Sequence, residues 1–176
     1  MSASPLFTRR SIRSYTGEPV SEAELAYILD AAHMSPVGMA AFDSLHITVV
    51  RDAAFLAELN RATAETMNRP GFDPLYGAPA LIIVSSRFPG TPNENSAYSN
   101  AAILVHNMAL ACAELGAGAC HIWGAIRTLV TRPALLDRLR LPAGFMPCCA
   151  LTVGKTKETY GERAVDRSRI GVSYID

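Results

Sequence analysis

"AYSNAAILVHNMALACAELG", residues 97–116, is the stretch whose reading decides the fold. Apolar and small residues run nearly all round its helical projection, and Gly116 and Gly118 terminate it. A surface helix would show a single apolar stripe, so this stretch predicts a long core helix packed on both sides.

The flanking segments read outward from that helix. "APALIIVSS" (78–86) is a continuous apolar run between breakers, as a buried strand would be. "ACHIWG" (119–124) predicts a short strand or turn, and "FMPCCALTVGK" (145–155) a strand. Nearer the start, "PVSEAELAYILDAAHMSP" (19–36) opens on Ser21 with Glu24 three residues later, a capping box on an amphipathic helix that stops at Pro36. "SLHITVVRD" predicts a strand over 45–50, "AAFLAELNRATAETM" (53–67) a helix, and "TRPALLDRLRL" (131–141) a helix with Pro133 in its first turn. Segments 68–77 and 87–96 hold the prolines and glycines of loops. Helices and strands thus alternate without a clean βαβ rhythm, and no G-x-G-x-x-G stands between a strand and a helix. The expectation is an α+β sandwich, not a doubly wound dinucleotide fold.

A chain of 176 residues is expected to form one domain, 1–176, with room for arms. Apolar residues at 49% against 18% charged leave a thin polar coat, so part of the apolar surface is expected in a subunit interface. Sixteen Lys and Arg cancel sixteen Asp and Glu, which excludes long-range attraction for nucleic acid or an anionic membrane. The apolar stretches fall short of the roughly 20 residues of a membrane span, and the first twenty residues carry charge where a signal peptide is apolar. A cytoplasmic protein is the expectation. Cys112, Cys120, Cys148 and Cys149 lack CxxC spacing and read as buried thiols of a reducing compartment, with the adjacent pair expected on opposite faces of a strand.

Any anion site must therefore be local, and "TRRSIRSY" (8–15) is the place for one. Guanidinium forks match phosphate oxygens in pairs and a serine hydroxyl adds a donor, so Arg9, Arg10, Ser11 and Arg13 can hold a phosphomonoester. The alternative is a solvated run, or pairing with Glu18, Glu22 and Glu24. In "HMSPVGMAAF" (33–42) a Gly beside a Pro lets main chain approach a flat ligand, or simply terminates the helix. The small residues of "ELGAGACHIWG" (114–124) allow close approach of a planar ring, or tight helix-to-strand packing. His33, His46, His106 and His121 are scattered without a carboxylate at ligand spacing, so no metal site is expected. Trp123 and Tyr98 read as core or interface residues. The absence of G-x-S-x-G, and of a His partner for any Cys, disfavours a hydrolase.

Taken in order, "RRSIRSYTGEPVSEAELAYILDAAHMSPVGMAAFDSLHITVV", "APALIIV", "NAAILVHNMALACAELGAGACHIWG" and "ALTVGK" resemble the nitroreductase family of FMN-dependent oxidoreductases, from about residue 7 to 163. The most specific part is the R-R-S-I-R opening, followed by a capped helix and a P-x-G-M turn. The resemblance implies a three-layer-like α+β sandwich, with a central antiparallel-containing mixed sheet and a long buried core helix. It implies a homodimer with FMN at the subunit interface and extended arms embracing the partner. Arg9, Arg10, Ser11 and Arg13 match the element for the FMN phosphate and ribityl chain. Pro36, Val37, Gly38 and Ala40 match the turn that reaches the other subunit's flavin. Cys120, His121 and Ile122 fall where a strand passes the ring, and Arg163 in "GERAV" matches a tail arginine returning to the phosphate.

The chain departs from the pattern in places. Many relatives read S-G-M-N-x-Q-P-W where "VGMAAFDS" stands, so the amides expected at Ala40 and Phe42 are absent. Gly161 stands where some members place a Lys, which leaves the clamp to Arg163, with Arg167 and Arg169 as substitutes. The chain is short for the family, which implies a more open pocket. The implied activity is transfer of electrons from NADH or NADPH through FMN to a small-molecule acceptor, a nitroaromatic, quinone or activated alkene, by a ping-pong scheme with no catalytic side chain of the protein's own. An FMN carrier or sensor without efficient turnover, and a cofactor-free dimeric scaffold, are the alternatives.

Overall fold

A computed structural model describes residues 4–176; the first three residues of the expected 1–176 domain lie outside the described residues. A four-residue helix, α1 (Pro5–Thr8), precedes an extended segment and α2 (Glu22–His33). Then follow β1 (Leu45–Val50), α3 (Ala53–Thr66), β2 (Ala80–Ser86), α4 (Glu94–Glu114) and β3 (Gly118–Ile122). α5 (Gly124–Thr131), α6 (Pro133–Asp137) and β4 (Met146–Gly154) complete the order.

The strands form one sheet in the order β1-β2-β4-β3, and every described pairing is antiparallel. β2 lies inside that sheet and is buried along its whole length, which is why its sequence shows no alternation. One face, with Ile82, Val84, Leu151 and Val153, packs on α4, which α2 covers in turn. The other face, with Leu81, Ile83, Ala150 and Ile122, packs on α3, α5 and α6. The layers are therefore helix, sheet and helix, as expected for the α+β sandwich.

Local chemistry accounts for the boundaries. Ser21 Oγ accepts from the Glu24 backbone N–H at 3.2 Å, and Glu24 accepts from the Ser21 N–H at 2.8 Å, the reciprocal cap read from sequence. Pro133 lacks an N–H and forces Arg132 out of helical conformation (φ −126°, ψ 85°). The helix expected over 131–141 is accordingly only the short α6, and α5, over 124–131, is not expected from the sequence. The central helix also differs from expectation in one respect. Its sheet and α2 sides are buried, while Ser99, Ala102, Ile103 and His106 form an open stripe at helical spacing. Cys148 and Cys149 do not face opposite ways either. Val84 pairs with Cys149 and Ser85 with Pro147, so Cys148 is an extra residue in a bulge, and both cysteines touch the α4-side core.

Candidate functional site

The residues expected to meet an anion collect along the free edge of β3. Ile12 is fully buried, and its N–H donates to the Ala119 carbonyl at 2.9 Å, which fastens the extended segment 9–15 to that edge. The attachment works because Gly118 and Gly154 are cross-strand partners and leave a flat patch for the Tyr15 ring. Tyr15 then shares a 2.8 Å hydrogen bond with the Thr152 hydroxyl. The space that Gly118 leaves is thus taken by Ile12 and Tyr15.

The three arginines part company on this segment. Arg10 turns out to Glu158 at 2.8 Å, an ion pair with its own side chain about half exposed. Arg9 forms no ion pair among the described residues; its neighbours are His106 of α4 and His121 of β3, and its carbonyl accepts from Arg163 Nη1 at 3.2 Å. Arg13 lies 5.8 Å from the centre of the Tyr76 ring and, with Ser11, close to Cys120. Burial pushes the Cys120 thiol up against the opposing pull of Arg13 and Ser11. Arg9, Ser11, Arg13, Cys120, His121 and Arg163 are therefore brought together, whereas Arg10 is engaged by a carboxylate. None of Glu18, Glu22 and Glu24 pairs with these arginines: Glu22 binds Arg51 and Glu24 binds Lys155. Arg169 is held by Asp166 at 3.3 Å within the tail.

Beyond Arg13 the same edge opens into a cleft of about 110 Å³ lined by Phe72, Tyr76, His121, Ile122, Trp123 and Gly124, among others. Trp123 is 59% exposed and belongs to this surface, where it meets edge-on, at 6.3 Å, the half-buried Tyr98 that packs against the α4-side core. A cleft of this size is below the roughly 300 Å³ at which ligand pockets begin. A cavity of about 490 Å³ lies elsewhere, between residues 17–22, α3 and segment 73–79, and none of the expected site residues lines it.

Pro36, Val37, Gly38 and Ala40 do not line the cleft at β3. Their turn is anchored to the far part of α4, where Asn100 Oδ1 accepts from the Gly38 N–H at 3.0 Å. Met39 and Ala40 both hold left-handed backbone, φ 59° and 50°, without being glycine. Such conformations persist only where surroundings enforce them, and the buried Asn100 is one enforcing contact. Asn100 and His106, the residues of α4 at the two places, are separated by about 9 Å of helix rise.

Sequence reasoning missed His106, Tyr76, Glu158 and Asn100. His106 stands at i+3 and i+4 from Ile103 and Ala102 on the open stripe, a periodicity hidden by the small residues around it. Glu158 lies 148 residues from Arg10, and no local signal connects them.

The sequence matches the family model of the nitroreductase family over residues 6–155. The structure is similar to a nitroreductase with bound FMN from Bacteroides fragilis NCTC 9343, with 27% identity, TM-score 0.79 and 97% of each chain covered. It is also similar to a nitroreductase with bound FMN from Desulfitobacterium hafniense DCB-2, at 23% identity and TM-score 0.81 over the whole of both chains. An FMN-dependent nitroreductase from Clostridium difficile R20291 matches at 22% identity and TM-score 0.75, covering 98% of this chain and 99% of that one. No curated protein matches the sequence.

Proposed function

The chain belongs to the nitroreductase family, and from that premise we propose that it is an FMN-dependent oxidoreductase that takes electrons from NADH or NADPH and passes them to a nitroaromatic, a quinone or an activated alkene. The observation that supports this best is the edge of β3. There Arg9, without an acidic partner among the described residues, stands with Ser11, Arg13 and Arg163 next to an open, aromatic-lined cleft.

The donor set fits FMN. Arg9 and Ser11, with Arg163 reaching their segment, would hold the terminal phosphate, since guanidinium and hydroxyl donors match its oxygens. Arg10 is the weaker member because Glu158 already occupies it. Arg13, held over Tyr76, would stand at the pyrimidine end, where a fixed positive charge favours an anionic ring. The strand backbone of Cys120, His121 and Ile122 would run along the ring, with the His121 side chain turned to the opposite side of the strand from Cys120 and Ile122. Bound FMN would supply the redox centre, alternately accepting electrons from nicotinamide and giving them to the acceptor in ping-pong order.

The reading includes a cytoplasmic homodimer of a single domain spanning 1–176. The cleft needs a second wall, and the Pro36–Ala40 turn points to a different place from the arginines. The stripe at Ala102 and Ile103 and the exposed Leu6, Phe7, Met39 and Phe42 offer the apolar surface for such an interface. β1 is an open sheet edge with cavities of about 400 Å³ on either face, and the tail residues Ile170, Val172 and Tyr174 are exposed and alternate like a strand. That combination supports arms that reach the partner. No described helix is long and apolar enough to cross a membrane.

The test is an anaerobic absorbance titration of the purified chain with FMN and then with each nicotinamide. Tight FMN binding, a raised melting temperature and bleaching by NADH or NADPH are expected. A protein that binds FMN but is not bleached by either donor is the carrier or sensor that the missing amides at Ala40 and Phe42 favour. A protein whose melting temperature FMN does not raise refutes both readings.

A further inference from the structure

We propose that His106 and His121 form the proton-accepting half of the phosphate site: the chain takes up a proton from solvent when it binds the phosphomonoester of FMN, and the two imidazoles set its preference for FMN over riboflavin. The proposal rests on the FMN reading above.

The geometry comes from two elements. His106 projects from the open stripe of α4. His121 is the one exposed residue of β3, on the side away from Cys120 and Ile122. Packing of α4 on that strand brings the rings to 5.9 Å between centroids, tilted by 45°. Arg9 is the third member and acts on both rings. Neither imidazole hydrogen-bonds a carboxylate among the described residues, and Arg9 pairs with none. Three groups able to carry positive charge thus meet without a counter-charge, an arrangement unfavourable when empty and favourable around a dianion.

The surrounding groups leave that logic intact. The N-terminal segment contributes Arg9, with Arg10 beyond it tied to Glu158. The tail contributes Tyr160, whose hydroxyl donates to the Ala117 carbonyl at 2.7 Å, and Arg163 on the Arg9 carbonyl. The Cys120 thiol lies across the strand and is held up by its burial. In the free protein burial first holds both imidazoles below the ordinary histidine range, followed by Arg9 at His106 and by His106 and then Arg9 at His121. An arriving phosphate dianion opposes the Arg9 contribution and favours the charged rings, so their values rise on binding. Affinity is then greatest at low pH and is lost as pH rises through the bound-state values, about tenfold per pH unit for each proton taken up. Below about pH 6 the phosphate regains its own second proton and the gain ends.

The experiment measures FMN and riboflavin affinity by flavin fluorescence from pH 6.5 to 8, for the full chain, the double variant His106→Gln/His121→Gln, and His106→Arg. Both rings are at the surface, and thermal melting checks that the variants fold. The expected results are an FMN Kd that rises about tenfold per pH unit over part of that range in the unmodified chain, and a flat profile in the double variant. His106→Arg, with permanent charge, should bind FMN at pH 8 more tightly than the unmodified chain, and riboflavin should show no slope in any protein. An unchanged FMN slope in the double variant, or an equal slope for riboflavin, overturns the proposal while leaving FMN binding intact. Absence of binding by either flavin at every pH overturns the FMN reading and this inference with it.

Discussion

Replacing Gly118 with Ala tests whether the arginine segment depends on the flat patch of the β3–β4 pair. A Cβ at 118 would stand 2.9 Å from Tyr15 Cε1, 3.0 Å from Ile12 Cγ2 and 3.2 Å from Thr156 Cβ. None of these can easily retreat. Ile12 is fully buried, and Tyr15 is tethered by the 2.8 Å hydrogen bond between its hydroxyl and that of Thr152. Overpacking of this kind costs about 1–3 kcal/mol, and the alanine recovers about 0.5–1 kcal/mol of the backbone entropy that glycine loses in a strand. The net loss is about 1–2 kcal/mol, or about 2–8 °C in Tm for a chain of this size. Gly118 has no positive φ, so the effect is one of space alone. Because Arg9 and Arg13 flank Ile12, FMN affinity should fall together with Tm. Thermal unfolding and flavin fluorescence measure the two, with Gly161→Ala, which meets nothing within 4 Å, as a silent control. A Gly118→Ala protein with unchanged Tm and unchanged hydrogen exchange at the Ile12 amide would refute the docking argument.

The two adjacent arginines should separate in a binding assay. Arg9→Ala removes a charged donor with no competing carboxylate among the described residues and is expected to weaken FMN about 10- to 150-fold, the equivalent of about 1.5–3 kcal/mol. Arg10→Ala, whose guanidinium is already held by Glu158, is expected to change it less than about fivefold, within the range of an exposed pair; equal losses would contradict the placement. Glu24 tests the link between α2 and the end of β4. Lys155 first, then the Ser21 backbone and hydroxyl, hold its carboxyl at about 2, below the ordinary 4.5. A carboxyl lowered in the folded state contributes stability that is complete above about 4.5 and is lost as pH falls towards 2. Glu24→Gln keeps a capping partner but removes the charge, so its Tm should lie below that of the parent at pH 7, by the equivalent of about 1 kcal/mol or less for a partly exposed pair. The two curves should converge as pH falls to 2; a gap independent of pH would exclude the ion pair as its source.

What could be read in the sequence followed from local physical chemistry. The Ser21–Glu24 cap needs only a three-residue spacing, and the unbroken apolar run of β2 follows from burial on both faces of an inner strand. What could not be read depended on contacts between distant residues or on one-residue irregularities. Cys148 is displaced by a bulge that no composition rule marks, and α5 begins at a glycine, a residue the helix scale penalises. The arginine cluster was legible as a cluster, yet not which member turns away, because Glu158 is supplied by the tail. His106 and His121 are 15 positions apart on a helix and a strand, so their pairing exists only once α4 lies on β3.

The incompleteness of the site in one chain is itself an argument about assembly. The cleft beside Arg13 measures about 110 Å³, while pockets that enclose ligands of FMN's class start near 300 Å³. Relaxation of Trp123 cannot supply the difference, since the indole is already turned to solvent. Nor can the Pro36–Ala40 turn swing in to form the missing wall, because Asn100 holds its Gly38 N–H and α4 is rigid between Asn100 and His106. The turn keeps two left-handed non-glycine residues, with Met39 70% exposed, and is held from within by the Gly38–Asn100 hydrogen bond. In the proposed homodimer a second copy would present its turn to the first copy's cleft. The same contact would cover the apolar stripe of α4, so closing the site and burying the interface would be a single event.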